Sequence, residues 1–458
     1  MNTVQSYIAV LDPGSSNLIL SLGYKDENGK VNILSSKSRA IDTEIRRGVV
    51  QNVDQVGLLV DELMQELLQD MGRDFSIDRM YVGLNPYSVQ CIDCNEKLNL
   101  NAQEPITEEI LSELFDDALA KSLPENKEMI AHFEQEYLVD GFPSLNPKGE
   151  RPNLLEGRYT LIAARTQYMK NLETSLTKAG LKDCRNILGI QAAAEAVLSE
   201  EDKIKGAVVI DFGGGTTSMC IYKDNLLRYV CVIPYGGKNI SRDLKQLNLS
   251  IAQAEALKLE KGTALHYTEL MKKQLGNKEE GEIHFFSEPL HDEKEFNEIV
   301  VARSEEIVDN LWAQINYSGV ETSKIGSGII ICGGASKMNG LEELLRMKTE
   351  MPVRKADLSC HLAASCPDEI KDLAYAQTIG LIMLGEKGGC RGPVHPERSK
   401  EQPEQATLPM EELEEITQKT SDKKHRPEQA KHDKKNKGNK LIGKLGGLFD
   451  NLMQQGDY

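Results

Sequence analysis

The chain has 458 residues, an apolar share of 40% and a formal net charge of −17. That length predicts about two to three domains, and the apolar share is enough to build buried cores. The acidic balance counts against general nucleic-acid binding, which needs cationic surface to neutralise phosphates. The opening "MNTVQSYIAVLDPG" has no basic region, and its apolar run is too short for a signal peptide. No run of about 18 apolar residues occurs, so no helix is expected to span a bilayer. "SYIAVLDPGSSNLILSLGYKDENGKVNIL" predicts three strands, broken at Pro-Gly and at the Asn-Gly turn signal. In "VDQVGLLVDELMQELLQDMG", Val56, Leu59, Val60, Leu63 and Leu67 recur at helical spacing. "DRMYVGL" predicts a strand.

Residues 85–165 differ in texture. They hold a predicted helix at "TEEILSELFDDALAKSL", a strand-like "HFEQEYLVDG" and a loop rich in Pro, Gly and Asn. This pattern reads as an α+β unit inserted into a larger α/β domain. Cys91 and Cys94 in "QCIDCNE" are the one CxxC pair among nine cysteines. Their flanks predict a strand, hence ordinary reduced thiols and a cytoplasmic setting. From about residue 160 the alternation of strand and helix resumes. "YTLIAAR" is a strand, "TQYMKNLETSLTKAG" a helix stopped by Gly180, and "QAAAEAVLS" a second helix. "GAVVIDFGGGTTSMCIYKDNLLRYVCVIP" predicts a run of strands. A polar helical stretch follows at 250–275, then the charged segment 276–296, whose His284 and His291 read as surface residues. "EIVVARSEEIVDNLWAQINYSG" predicts a helix, "GSGIIICGGASKMNGLEELLRM" a strand, glycine turn and helix, and "KDLAYAQTIGLIML" a last apolar helix.

Three turns share one logic. "LDPGSS" (11–16), "IDFGGGTTS" (210–218) and "IICGGASKMNG" (330–340) each place glycines directly after an apolar strand. Such turns let backbone approach a ligand closely and form concavities that bind anions. The hydroxyls of Ser15, Ser16, Thr216 and Thr217 add donors. Asp12 and Asp211 end apolar strands, where a carboxylate is costly unless paired, hydrated or near a metal. Two such acids beside phosphate turns suit a Mg²⁺ that keeps several waters. Each turn alone is usually structural. No GxxxxGK[ST] and no Rossmann fingerprint is present.

On these residues, about 6–386 resembles the superfamily of actin, heat-shock chaperone and sugar-kinase ATPases. The resemblance implies an actin-like two-lobed α/β fold that binds ATP with Mg²⁺. Asp12, Gly14, Ser15 and Ser16 would form the first phosphate loop. Asp211, Gly213, Gly214, Gly215, Thr216 and Thr217 would form the second. Gly333, Gly334, Ala335 and Ser336 would lie against base and ribose. "VIPYGGKNISRDLKQLNLSIAQAEALKLEKGTA" (232–264), with Gly237, and "HFEQEYLVDGFPSLNPKG" (132–149) are similar to the bacterial cell division FtsA family. That resemblance implies ribose and adenine contacts for Glu255 and Lys258, which otherwise read as a solvated ion pair worth a few tenths of a kcal/mol. The implied layout is 1–84 and 166–204 for lobe 1, 85–165 for the inserted subdomain and 205–386 for lobe 2. A disordered linker (387–439) and an amphipathic helix (440–455) complete it.

The sequence also departs from the pattern. Pro13 follows the loop Asp and cannot donate an N–H. Asn17 stands where some relatives carry a Lys. Only Gln191 stands near the place of a water-positioning side chain, as a weak catalytic candidate. The expectation is therefore ATP binding with weak or no hydrolysis. At the C-terminal end, Leu441, Ile442, Leu445, Leu448, Phe449, Leu452 and Met453 form one apolar stripe behind Lys434, Lys435, Lys437 and Lys440. A basic segment before an amphipathic helix reads as an anchor on anionic membrane lipids. Its glycines cost about 1 kcal/mol each relative to alanine in a free helix, so many copies are needed for firm attachment. The resemblance thus implies a filament-forming tether at the inner membrane face of the septum. It would hold the C-terminal peptide of FtsZ through about 224–300 and recruit other divisome proteins. A small-molecule kinase or an actin-like pilus-assembly protein is the alternative.

Overall fold

The computed structural model describes residues 4–72, 75–101, 104–266, 291–386 and 389–393. Strands β1 (Val4–Pro13), β2 (Asn17–Lys25) and β3 (Val31–Ala40) form the predicted antiparallel meander. A two-strand ribbon, β4 (Ile45–Arg46) with β5 (Val49–Val50), leads to helix α1 (Val53–Met71). Asn52 caps α1 by accepting the Gln55 N–H at 3.0 Å, which satisfies one of the orphan donors of the first turn. Val56, Val60, Leu63 and Leu67 are fully buried along its inner face, as their spacing predicts. After the short β6 (Ser76–Ile77), β7 (Arg79–Leu84) pairs in parallel with β1.

The chain then leaves the lobe. Strands β8 (Gln90–Asn99), β9 (Lys127–Val139), β10 (Phe142–Ser144) and β11 (Leu154–Arg165) make a separate sheet in the order β10-β9-β11-β8. Helix α2 (Glu108–Ser122) covers one face through Leu114 and Ala118 against Tyr159 and Leu161. Cys91 and Cys94 sit in β8 as free thiols.

Helix α3 (Thr166–Lys178) and β12 (Asp183–Leu188) return to the first sheet, where β12 pairs in parallel with β7. Helix α4 (Gly189–Val197) and the short α5 (Glu200–Lys205) lead into the second lobe. There β13 (Ala207–Phe212), β14 (Thr217–Lys223) and β15 (Leu226–Ile233) repeat the meander. Helices α6 (Gly237–Asp243), α7 (Ile251–Lys261) and α8 (His291–Tyr317) follow. Then β16 (Ile329–Cys332) pairs in parallel with β13, helix α9 (Leu341–Thr349) crosses over, and β17 (Val353–Lys355) pairs in parallel with β16. The two lobes share one strand order. β3-β2-β1-β7-β12 in the first corresponds to β15-β14-β13-β16-β17 in the second.

Helix α10 (Ala376–Leu384) ends this part of the chain and packs against α4. It is shorter than the predicted apolar helix. Asp372 is extended and its carboxylate accepts the Ala374 N–H, so the preceding residues turn as 3₁₀ segments instead. The α4 side of the contact is almost all alanine: Ala192, Ala193, Ala194 and Ala196 are fully buried. On α10, a Cβ at Gly380 would lie 1.6 Å from the Ala192 carbonyl oxygen. Only glycine permits that approach.

One boundary is corrected. The linker expected from 387 cannot begin there, because β18 (Cys390–Pro393) adds antiparallel to β1 and β6, with Cys390 fully buried. The apolar share of 388–439 is low enough to hide one short strand. The charged stretch 276–290, His284, the rest of the linker and the tail residues Leu441, Ile442, Leu445, Leu448, Phe449, Leu452 and Met453 lie outside the described residues.

Candidate functional site

A cleft of about 490 Å³ opens where the first turns of the two lobes face each other. That volume is in the range of small-molecule sites. Asp12, Gly14, Ser15 and Ser16 line it from the β1–β2 turn, and Asp211, Gly213, Gly214 and Thr216 from the β13–β14 turn. Gly237, Glu255 and Lys258 come from α6 and α7, and Gly333, Gly334 and Ala335 from the turn after β16. The structure therefore brings together most of the residues singled out in sequence, although they span more than 300 positions. The reason is the repeated meander: Asp12 and Asp211 occupy equivalent places in the first strand of each lobe.

Both carboxylates are largely enclosed by protein. Burial pushes the Asp12 carboxyl up to about 8, and the nearby Asp211 adds to the shift. Burial alone raises Asp211 to about 6. Each keeps part of its surface on the cleft. Among the described residues no Lys or Arg pairs with either, and no third His, Cys, Asp or Glu completes a metal cluster. Uncompensated carboxylates beside glycine turns fit a hydrated Mg²⁺ that takes its remaining ligands from water and phosphate. Gly333, at φ +87°, brings its turn against Asp211. A Cβ there would lie 2.1 Å from Asp211 Oδ1.

Several predicted residues do other work. Thr217 is fully buried, and its hydroxyl donates to the Tyr235 carbonyl at 2.9 Å. Strand alternation turns Thr216 and Ser218 to the cleft in its place. The Ser336 hydroxyl is likewise buried and donates to the Gly333 carbonyl at 2.7 Å, closing its own turn. Gly215 packs on Ser15 rather than lining the cleft. Gln191 is corrected outright. Gly189 faces Asn85 and Gln377, and two residues on, roughly 200° around the helix, Gln191 lines a different groove with Glu195, Lys203 and Tyr222. The Glu255–Lys258 pair is solvated on one side only, with the Glu255 side chain 40% exposed. Lys258 is 8% exposed, bonds both Glu255 oxygens at 2.7 and 2.8 Å, and donates to the Gly237 carbonyl at 3.2 Å. The pair forms part of the cleft wall and ties α7 to α6.

Three contributors escaped sequence reading. Lys238 reaches from α6 to the carbonyls of Ser15 and Ile41 at 2.9 and 2.8 Å. It thereby places a cation beside the first turn, where Asn17 offers none. Gln377 on α10 donates to Asp12 Oδ1 at 2.6 Å. Asn85, at the end of β7, joins Gln377 to the start of α4. "GGK" at 236–238 was a visible signal for Lys238. Nothing local marks Gln377 or Asn85, which meet only through the crossing of elements far apart in sequence.

Two lobes of like topology around a cleft with paired acidic turns define an actin-like α/β fold. The PilM–PilN type IV pilus biogenesis complex shares it, with a TM-score of 0.55 at 16% identity over 84% of this chain and 99% of that one. Two family models match this chain: "Cell division protein FtsA" over residues 208–380 and "SHS2 domain inserted in FTSA" over 87–163. The chain belongs to the FtsA family of cell division proteins. It is 25% identical to the cell division protein FtsA of Neisseria meningitidis, over 83% of this chain and 91% of that protein. It is 28% identical to that of Porphyromonas gingivalis, over 83% and 78%. For Enterococcus faecalis the identity is 26%, over 93% and 94%.

Proposed function

We propose that this protein binds ATP with Mg²⁺ in the cleft between its lobes and acts as a membrane tether for FtsZ filaments during division. The observation that carries the nucleotide part is the facing of Asp12 and Asp211 across one cleft, each largely enclosed, each without a paired cation among the described residues and each followed by a glycine turn. Asp12 and Asp211 would hold Mg²⁺ through water. The turns at 14–16 and 213–216 would meet the phosphates, and 333–335 the nucleoside. Mg²⁺ would neutralise the phosphate charge that the two carboxylates otherwise repel. Displacement of Gln191 from the cleft supports binding with slow turnover.

The tether part rests on family membership and on the residue pattern of 434–453. The basic, apolar-striped tail would attach to anionic lipid at the inner membrane face of the septum. Self-assembly would multiply a weak single contact. The FtsZ C-terminal peptide and other divisome proteins are the proposed partners.

The test is liposome pelleting of the full chain. The wild type should sediment with phosphatidylglycerol vesicles in ATP and bring FtsZ down with it, whereas Phe449→Glu should stay in the supernatant. Equal sedimentation of both proteins, or none of the wild type at high concentration, defeats the tether reading. A point change is preferred to truncation at 386, which would strip β18 from the lobe 1 sheet.

A further inference from the structure

Asp12 is held by a chain of side-chain amides whose hydrogen-bond direction is set at the far end. The Ile190 N–H, in the first turn of α4, donates to Asn85 Oδ1 at 3.0 Å. A backbone N–H can only donate, so Asn85 must present its oxygen there and its NH₂ elsewhere. That NH₂ donates to Gln377 Oε1. Gln377 is then left with Nε2 toward the cleft, where it donates to Asp12 Oδ1 at 2.6 Å. Gln377 is 4% exposed and closely walled. A Cβ at Gly83 would lie 2.4 Å from its Nε2, and one at Gly189 would lie 2.2 Å from its Oε1. The amide therefore has one orientation, which the helix terminus imposes whether or not Asp12 is ionised.

We propose that Asn85 and Gln377 are positioning residues that commit Asp12 Oδ1 to accepting a hydrogen bond and so reserve Oδ2 for the cation that accompanies the nucleotide. The inference rests on the Mg²⁺–ATP reading of the cleft and adds how the carboxylate is aimed. It also gives α4 and α10 a stake in the cation, since each supplies one link of the chain. A carboxylate with one oxygen pinned loses less freedom when the other meets a hydrated ion, and the donor offsets part of its charge.

The experiment compares ATP affinity of the full-length protein with Mg²⁺ and in EDTA, by titration calorimetry. Asn85→Asp keeps an acceptor for the Ile190 N–H but has no donor for Gln377, whose Nε2 is then contested between two carboxylates. Gln377→Met keeps the length of the side chain and removes both bonds without adding charge. In each variant the Mg²⁺-dependent tightening should fall by about tenfold while affinity in EDTA stays within about twofold. A structural role would weaken both conditions alike, so equal loss overturns the proposal, as does an undiminished Mg²⁺ effect in both variants. A wild type that binds no ATP in either condition overturns the nucleotide reading itself, and this inference with it.

Discussion

Asp12→Asn is expected to weaken the proposed Mg²⁺–ATP binding roughly ten- to hundredfold, and to unfold at a higher temperature than the wild type when no nucleotide is present. Both effects come from one carboxylate. Its ordinary value of 3.8 is raised to about 8 in the cation-free fold, chiefly by burial and then by Asp211. Between these two values the folded chain holds a proton that the unfolded chain has released. Stability is therefore fully present below about pH 4 and is lost as pH rises toward 8, by at most ~1.4 kcal/mol per pH unit. Asparagine has no such loss. Thermal melts of both proteins in EDTA should coincide near pH 4 and separate progressively up to pH 8, with the variant higher. A variant that melts below the wild type at pH 8 and binds Mg²⁺–ATP unchanged would contradict the assignment. The opposition follows from the proposed role: a carboxylate kept for a cation would be a burden to the fold without it.

Gly380→Ala is expected to cause a large loss of stability. The new methyl would sit 1.6 Å from the Ala192 carbonyl oxygen, and backbone on both sides cannot yield as a side-chain tip does. Helices α4 and α10 must separate, in the middle of the largest buried cluster. Overpacking typically costs about 1–3 kcal/mol; a clash with backbone puts this site at the upper end, and denaturant titration should show it. Because Gln377 lies one turn before Gly380 and carries the link to Asp12, Mg²⁺–ATP affinity should fall as well. A midpoint shifted by less than the error of the titration would show that the helices are not packed this closely.

Much of the fold was legible because it is written in local patterns. The meanders 4–40 and 207–233, the spacing of α1 and the strand–glycine–helix at 329–349 all follow from apolar periodicity and turn residues. Texture alone set off 85–165, and its own sheet and helix explain the change. The cleft acids were legible for a different reason. An Asp after an apolar strand contradicts the expectation for that position, and such contradictions gather at functional sites.

What remained illegible depends on which face of an element meets which neighbour. Thr216 and Thr217 are equivalent as letters, but strand alternation sends one to the cleft and buries the other. Gln191 and Gln377 are both glutamines in apolar helices. About half a turn of α4 points Gln191 to another groove, while the crossing at Gly380 brings Gln377 to Asp12 across 365 positions. The strand at 390–393 carries too little apolar signal to be seen and exists because β1 and β6 offer it an edge. By itself the sequence determined most of the elements, the doubled glycine turns with their acids and the family. The tertiary structure alone decided the direction of each side chain and the partners of each buried amide, because these depend on contacts between segments that no local pattern encodes.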